Sequence, residues 1–191
     1  MLSLNPKSAA LVLIDLQKGV LAMPIAPHSA AEVIENSARL GARLKQAGGV
    51  VAPVHVAFSP DGADRLRQAV DASFPSAPRP ADWSDLAPEI ARLPADFVIV
   101  KRQWGAFYGT ELDLQLRRRG VDTIVLTGVA TNFGVESTAR EAWQCGYSVV
   151  VAEDAVGSVS EAMHRFSIEN VLPRIARIRS TAEILAALPA K

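Results

Sequence analysis

The sequence has a single cysteine, Cys145, in 191 residues, which excludes an internal disulfide framework. Thiols without disulfides are typical of a reducing compartment, so we expect a cytoplasmic protein. The N-terminus lacks a basic stretch that leads into an apolar segment with a small-residue cleavage site, so we expect no signal peptide. No apolar run approaches the roughly 20 residues that a membrane-spanning helix needs, and we expect no membrane partner.

An excess of charge is also missing, because 20 lysines and arginines balance 20 aspartates and glutamates. A net charge of zero gives no global field that attracts nucleic acid, so no nucleic-acid partner is expected. The one dense basic run, Arg117–Arg119, lies at the end of a predicted helix. Cations there complement the helix dipole, which favours a structural role over phosphate binding.

Histidines are scarce as well: His28, His55 and His164 are scattered and show no two-ligand spacing. We therefore expect no bound metal, and His55 reads as a core histidine of a strand. The sequence contains no P-loop, no G-x-G-x-x-G fingerprint and no G-x-S-x-G elbow, so no cofactor is expected.

What the chain does contain is a series of short apolar runs. They are β-branched and mostly unbroken, as expected for parallel strands that are covered on both faces. The runs are residues 9–16, 50–58, 97–100, 123–127, 148–152 and 175–178.

Segments with helical spacing lie between most of these runs. A capping box at Ser29–Glu32 predicts a helix that Gly48 ends, and residues 111–119 and 135–144 predict two more. Capping signatures at Ser158–Glu161 and Ser180–Glu183 predict later helices. The alternation predicts an α/β fold: a single three-layer α/β/α domain over residues 1–191, Rossmann-like, with a mostly parallel central sheet.

A proline-rich segment interrupts the alternation between Ser59 and Pro94. An excursion of this length with little regular structure usually covers a site or forms an interface. The alternative is a surface loop that its own aromatic residues hold together.

Two charged residues and one turn follow predicted strands, where open α/β sheets bind their ligands. Asp15 lies near the end of the first apolar run, Lys101 follows the third, and the turn from Gly128 to Gly134 follows the fourth. Because a buried charge is costly unless it is paired, an Asp and a Lys at the same edge can satisfy each other. The alternative is that each caps a helix or forms an ion pair without a function.

These three pieces together resemble the isochorismatase-like (cysteine hydrolase) family, most strongly over residues 101–112 and 128–139. The resemblance implies an Asp, a Lys and a Cys around one small pocket. Asp15 and Lys101 match the first two, whereas Gly134 stands where the cysteine is expected. It also implies that the Val129–Ala130 bond is often cis, and that the protein self-associates as a dimer or tetramer.

The residues that flank these positions are candidate substrate contacts. The aromatic ones can line a pocket for a flat or cyclic substrate or can simply pack, and Asn132 is as plausible a helix cap as a ligand donor. The candidates are Gln17, Trp104, Phe107, Val129, Ala130, Asn132 and Phe133.

Gly134 has no side chain to act as a nucleophile, so covalent amide hydrolysis by the family's usual route is not expected. Cys145 lies three helical turns further on and is expected to be a small core residue. In the isochorismatases proper, the resemblance implies that the Asp protonates a vinyl ether and water completes the cleavage. Asp15 needs a pKa raised by burial for this role, whereas Lys101 lowers the pKa of the same carboxyl.

We therefore predict a hydrolase of a small metabolite, with Asp15 as acid or base, Lys101 beside it and water as the nucleophile. One alternative is a catalytically silent relative that binds a metabolite or a partner protein. A further alternative is a structural subunit of an oligomer with a vestigial pocket.

Overall fold

A computed structural model describes residues 2–72 and 79–189 of the chain. Its centre is a sheet whose strands are all parallel to their neighbours. The strands are β1 (Ala9–Ile14), β2 (Val50–Val56), β3 (Ile99–Lys101), β4 (Thr123–Val129), β5 (Ser148–Gly157) and β6 (Arg177–Arg179). They are arranged in the order β3-β2-β1-β4-β5-β6. The predicted parallel sheet is confirmed.

Helices connect the strands. They are α1 (Lys18–Leu21), α2 (Ala30–Gln46), α3 (Pro88–Ala91), α4 (Leu112–Arg118), α5 (Glu136–Gln144), α6 (Glu161–Phe166) and α7 (Thr181–Ala186). A π-helical turn, Thr131–Val135, precedes α5, and another, Ser167–Val171, follows α6. Short 3₁₀ turns lie at Pro6–Ser8 and Leu172–Arg174. Among these described residues, no helix is both long and apolar enough to cross a bilayer.

The capping signatures give two correct helix starts and one wrong one. Ser29 and Ser180 each form a complete capping box, which confirms the predicted starts of α2 and α7. Ser158 does not cap α6. Its backbone instead pairs with Ala26 beyond the end of β5, and the N-cap of α6 is Ser160, whose side chain accepts from a backbone N–H.

Side chains of the central strands alternate between two apolar cores, one on each face of the sheet. In β1, Val12 and Ile14 belong to the core that includes residues of α4 and α5. Leu11 and Leu13 belong to the core that includes residues of α2 and α7. Because all six residues of β1 are buried, the run is uniformly apolar, as the three-layer architecture requires.

Gly128 allows β4 to approach β1 closely near the carboxyl ends of the two strands. Its φ is +117°, and a Cβ there would lie 2.0 Å from the carbonyl oxygen of Ile14. Only glycine fits such an approach to the backbone. The turn that follows β4 is thereby held next to Asp15, which follows Ile14.

The proline-rich segment packs over the start of α1. A Cβ at Gly19 would lie 2.0 Å from the indole of Trp83, and the Gly19 N–H donates to the carbonyl oxygen of Trp83. The Lys18 ammonium pairs with Asp82 at 2.9 Å and with Asp85 at 3.3 Å. This part of the excursion therefore covers the chain that leaves β1; residues 73–78, with two of its prolines, lie outside the described residues.

Candidate active site

The candidate site lies where the strand order reverses. The chain proceeds from β1 outward through β2 and β3, then returns to place β4 on the other side of β1. The carboxyl ends of β1 and β4 therefore flank the position at which open α/β sheets bind their ligands. Asp15 directly follows β1, and the turn Thr131–Val135 follows β4. Lys101 ends β3, two strands away from β1, and must reach across to join them.

Asp15 and Lys101 form a buried ion pair. The Lys101 Nζ atom lies 2.7 Å from Asp15 Oδ2, and the exposed fractions of the two side chains are 1% and 10%. The Lys101 ammonium also donates to the carbonyl oxygen of Trp104 at 2.6 Å. Asp15 adopts a φ of +51°, which a non-glycine residue rarely does, and its N–H donates to the carbonyl oxygen of Val54. Such a conformation is typical of functional sites.

The two oxygens of the Asp15 carboxyl are not equivalent. Oδ2 accepts from Lys101, whereas Oδ1 is buried without a hydrogen-bond partner among the described residues. A buried polar atom of this kind needs an explanation, because an unmade hydrogen bond costs about 1–3 kcal/mol. A ligand that bonds to Oδ1 would remove this cost.

Burial prevails over the neighbouring cation in setting the acidity of Asp15. Desolvation raises its pKa from 3.8 to about 6, although the Lys101 ammonium acts in the opposite direction. The sequence left this competition open. A carboxyl with a pKa near 6 exchanges protons close to neutral pH, as a general acid or base must.

Gly134 faces the same pair. A Cβ at this position would lie 3.2 Å from Asp15 Oδ2, 3.3 Å from Lys101 Nζ and 3.0 Å from Ile14 Cγ2. Any side chain here would thus enter the space beside both charged groups. The structure brings together Asp15, Lys101 and Gly134, which come from three separate parts of the sequence.

The turn that carries Gly134 begins with a cis peptide bond between Val129 and Ala130. The side chains of both residues are buried in the apolar core, so their backbone atoms are the groups left for a ligand. The Asn132 side chain accepts a hydrogen bond from the Ser158 hydroxyl. At the N-cap of this turn, no side chain makes a capping hydrogen bond. Substrate contacts by these three residues stay predictions.

The aromatic candidates divide into two groups. The rings of Trp104 and Phe133 pack with centroids 4.8 Å apart. Trp104 is 53% exposed, and its backbone carbonyl oxygen accepts the hydrogen bond from Lys101. Phe107 is buried and packs against Tyr147 at 5.8 Å in the core beneath α5. A substrate contact by Phe107 stays a prediction, because its observed neighbours belong to the core.

Gln17 is fully buried, and its amide bonds only to backbone groups among the described residues. Its Nε2 donates to the carbonyl oxygens of Val56 and Trp83, and its Oε1 accepts from the Val56 N–H. Gln17 therefore ties the end of β2 to the proline-rich segment. A substrate contact by Gln17 stays a prediction.

Sequence reasoning missed one polar cluster and misplaced one residue. His28 and His164, which looked scattered, both contact Glu153 Oε1, at 2.9 and 3.2 Å. These contacts hold the pKa of Glu153 at about 2, with the hydrogen bond from His164 as the largest cause. Cys145 is exposed rather than buried, because it is the C-cap of α5 at the surface. Partial desolvation nonetheless raises the pKa of its thiol, so it does not resemble an activated cysteine.

Fold and site together define an α/β protein with a buried acid–base pair at the switch point of a parallel sheet. The isochorismatase domain model matches residues 9–183. The chain is 50% identical to the isochorismatase family protein YecD of Escherichia coli O157:H7, with 98% of this chain and 100% of that protein covered. It is 46% identical to YwoC of Bacillus subtilis, another isochorismatase family protein, over 96% of each chain.

A solved isochorismatase family protein from Burkholderia thailandensis superposes on the chain with a TM-score of 0.93. The two are 44% identical over 98% of each chain. The chain therefore belongs to the isochorismatase family of hydrolases.

Proposed function

We propose that the protein hydrolyses a small metabolite by proton transfer from Asp15, with water as the nucleophile and no covalent intermediate. The observation that carries the proposal is the buried carboxyl whose pKa is about 6 and whose Oδ1 lacks a partner among the described residues. The names of YecD, YwoC and the Burkholderia thailandensis protein specify the family but no substrate. The substrate class is therefore argued from the site.

The position of the transferable proton follows from the ion pair. Oδ2 accepts from the Lys101 ammonium at 2.7 Å, so a proton on the carboxyl group belongs on Oδ1. From there it can be donated to a substrate atom that hydrogen-bonds to Oδ1. Lys101 keeps the carboxyl oriented, and its charge stabilises the carboxylate that remains after the transfer.

Gly134 determines which route is open. The resemblance to the cysteine hydrolases implies a thiol at this position, and glycine supplies none. A bond that breaks once it is protonated, such as that of a vinyl ether, requires an acid and water but no nucleophilic side chain. General-acid hydrolysis is therefore the reaction that requires the fewest functional groups from this site. Trp104 and Phe133 are proposed to contact a flat or cyclic part of the substrate.

The pH dependence of turnover tests the role of Asp15. A panel of small vinyl ethers, amides and ureides is screened first, and kcat/KM is then measured from pH 4.5 to 8.5 for any substrate found. For a general acid, kcat/KM is expected to be highest below a pKa of about 6 and to fall about tenfold per pH unit above it. A kcat/KM that rises through pH 6 would make Asp15 a base, and a flat profile would contradict proton transfer by Asp15.

A second function is favoured by the glycine at position 134: a silent family member that binds a metabolite without converting it. This alternative predicts no turnover across the panel, together with thermal stabilisation by at least one compound. Ligands that bind the native state stabilise it by RT ln(1 + [L]/Kd). Loss of that stabilisation in Asp15→Asn would assign the binding to the same pocket.

A further inference from the structure

A second polar cluster lies at β5, outside the Asp15–Lys101 pair. One potential ligand atom from each of His28, Glu153 and His164 lies within 4.8 Å of the others. The Nε2 atoms of both histidines converge on the same oxygen, Glu153 Oε1. His164 is buried, whereas His28 and Glu153 are 25% and 35% exposed, so the cluster is reachable from solvent.

An irregularity in β5 directs Glu153 into this cluster. Leu126 of β4 pairs with Val151, but Gly128, two residues further on, pairs with Val156, five residues further on. The extra residues of β5 form a bulge that contains Glu153. Bulges often re-aim a side chain next to a functional site. The following residue, Asp154, accepts hydrogen bonds at the start of α7.

The two histidines are held in place by separate elements. His28 follows a backbone bridge in which Ala26 and Ser158 exchange hydrogen bonds of 2.8 Å. His164 lies in α6, and its Nδ1 atom is 3.0 Å from the buried Thr131 hydroxyl. That contact directs Nε2 toward Glu153. A ligand histidine in a metal site is usually oriented by such a partner on its other nitrogen.

The two spacings from Glu153 to the histidines are close to those around a tetrahedral ion, and the ligand atoms of the two histidines lie within 4.8 Å of each other. Bonds of about 2.0–2.2 Å to nitrogen and carboxylate oxygen place neighbouring ligand atoms roughly 3.3 Å apart. The observed contacts from Glu153 Oε1 to the two Nε2 atoms are 2.9 and 3.2 Å, so they need only a small expansion. Two imidazoles and one carboxylate are a donor set that zinc accepts, with the fourth position left to water.

We propose that His28, Glu153 and His164 bind one divalent transition-metal ion of the zinc class, through the two Nε2 atoms and the Glu153 carboxylate. The expectation of no metal rested on the linear spacing of the histidines, and the fold brings two of them together at Glu153. Once Nε2 is bound to the metal, the His164 Nδ1–H donates to the Thr131 hydroxyl. The ion thereby braces the first residue of the turn that carries Gly134. The proposal stands independently of the reaction at Asp15.

The site is tested by measuring zinc binding to the metal-free chain, in competition with a chromophoric chelator at pH 7.5. One ion per chain is expected, together with a higher thermal midpoint in its presence. His28→Ala and Glu153→Gln are expected to weaken binding by more than the roughly 10–100-fold that loss of an outer partner causes. Thr131→Val is expected to weaken binding by about that 10–100-fold factor, with the stoichiometry retained.

Two matched variants separate this site from adventitious binding. His55→Ala removes the histidine outside the cluster, and Cys145→Ser removes the exposed thiol; both are expected to keep one tightly bound ion. Circular dichroism of each metal-free variant establishes that it is folded. Binding that survives in folded Glu153→Gln, or that disappears in Cys145→Ser, would overturn the proposal, as would no binding by the wild-type chain.

Discussion

Replacing Asp15 with Asn is expected to lower kcat by about 10²–10⁴-fold for any substrate the wild type turns over. The amide keeps the shape of the side chain but has no proton to transfer near pH 6. KM is expected to change little, because the amide can still hydrogen-bond at the Oδ1 position. Steady-state kinetics on the same substrate measure both quantities.

The matched control is Asp71→Asn, since Asp71 is an exposed aspartate outside the site. Its kcat is expected to equal that of the wild type. A folded Asp15→Asn enzyme with an unchanged kcat would show that the proton comes from another group. In that case the pair at the switch point would be structural.

Replacing Lys101 with Met is expected to destabilise the fold by about 3–5 kcal/mol at pH 8, because it leaves a buried carboxylate without its cation. The loss depends on pH. A folded-state pKa raised from 3.8 to about 6 means that stability falls as the pH rises between these values. Removing Lys101 raises the pKa of Asp15 further, so stability continues to fall above pH 6. Urea unfolding at pH 5 and pH 8 measures the difference.

Two comparisons identify the cause of that loss. Lys18→Met breaks an exposed pair with Asp82 and is expected to cost about 1 kcal/mol or less. The double variant Asp15→Asn/Lys101→Met removes both charges and is expected to recover part of the stability. A loss in Lys101→Met that is the same at pH 5 and pH 8, with no recovery in the double variant, would indicate lost packing instead of an uncompensated charge.

Much of the fold was predictable from local patterns. The mostly apolar run over residues 9–16 predicted a strand buried on both faces, and β1 (Ala9–Ile14) is such a strand. Capping boxes placed the starts of α2 and α7 because they depend on contacts within one turn. The signature at Ser158 failed because a distant partner, Ala26, holds that residue in extended backbone.

The positions of site residues were predictable from the sequence only where the topology of the sheet alone determines them. Asp15 follows β1 and Lys101 ends β3, so a parallel sheet brings both to the same edge whatever path the connecting loops take. The pKa of Asp15 depends on how desolvation by burial compares with the effect of the Lys101 cation. That comparison depends on packing density, which cannot be read from the sequence. The cluster at Glu153 depends on a bulge and on contacts between residues far apart in sequence, so linear spacing carried no signal for it. The surface position of Cys145 follows from its place as the C-cap of α5.

The thiol reactivity of Gly134→Cys is the most direct test of the central claim that Asp15, Lys101 and position 134 share one site. The new Cβ would lie 3.2 Å from Asp15 Oδ2 and 3.3 Å from Lys101 Nζ, with a small shift of Ile14. A nearby ammonium favours the thiolate. In a Cys145→Ser background, the thiol is expected to react with iodoacetamide at pH 7 much faster than Cys145 does in the wild type. A folded variant whose thiol reacts no faster than Cys145 would contradict the account.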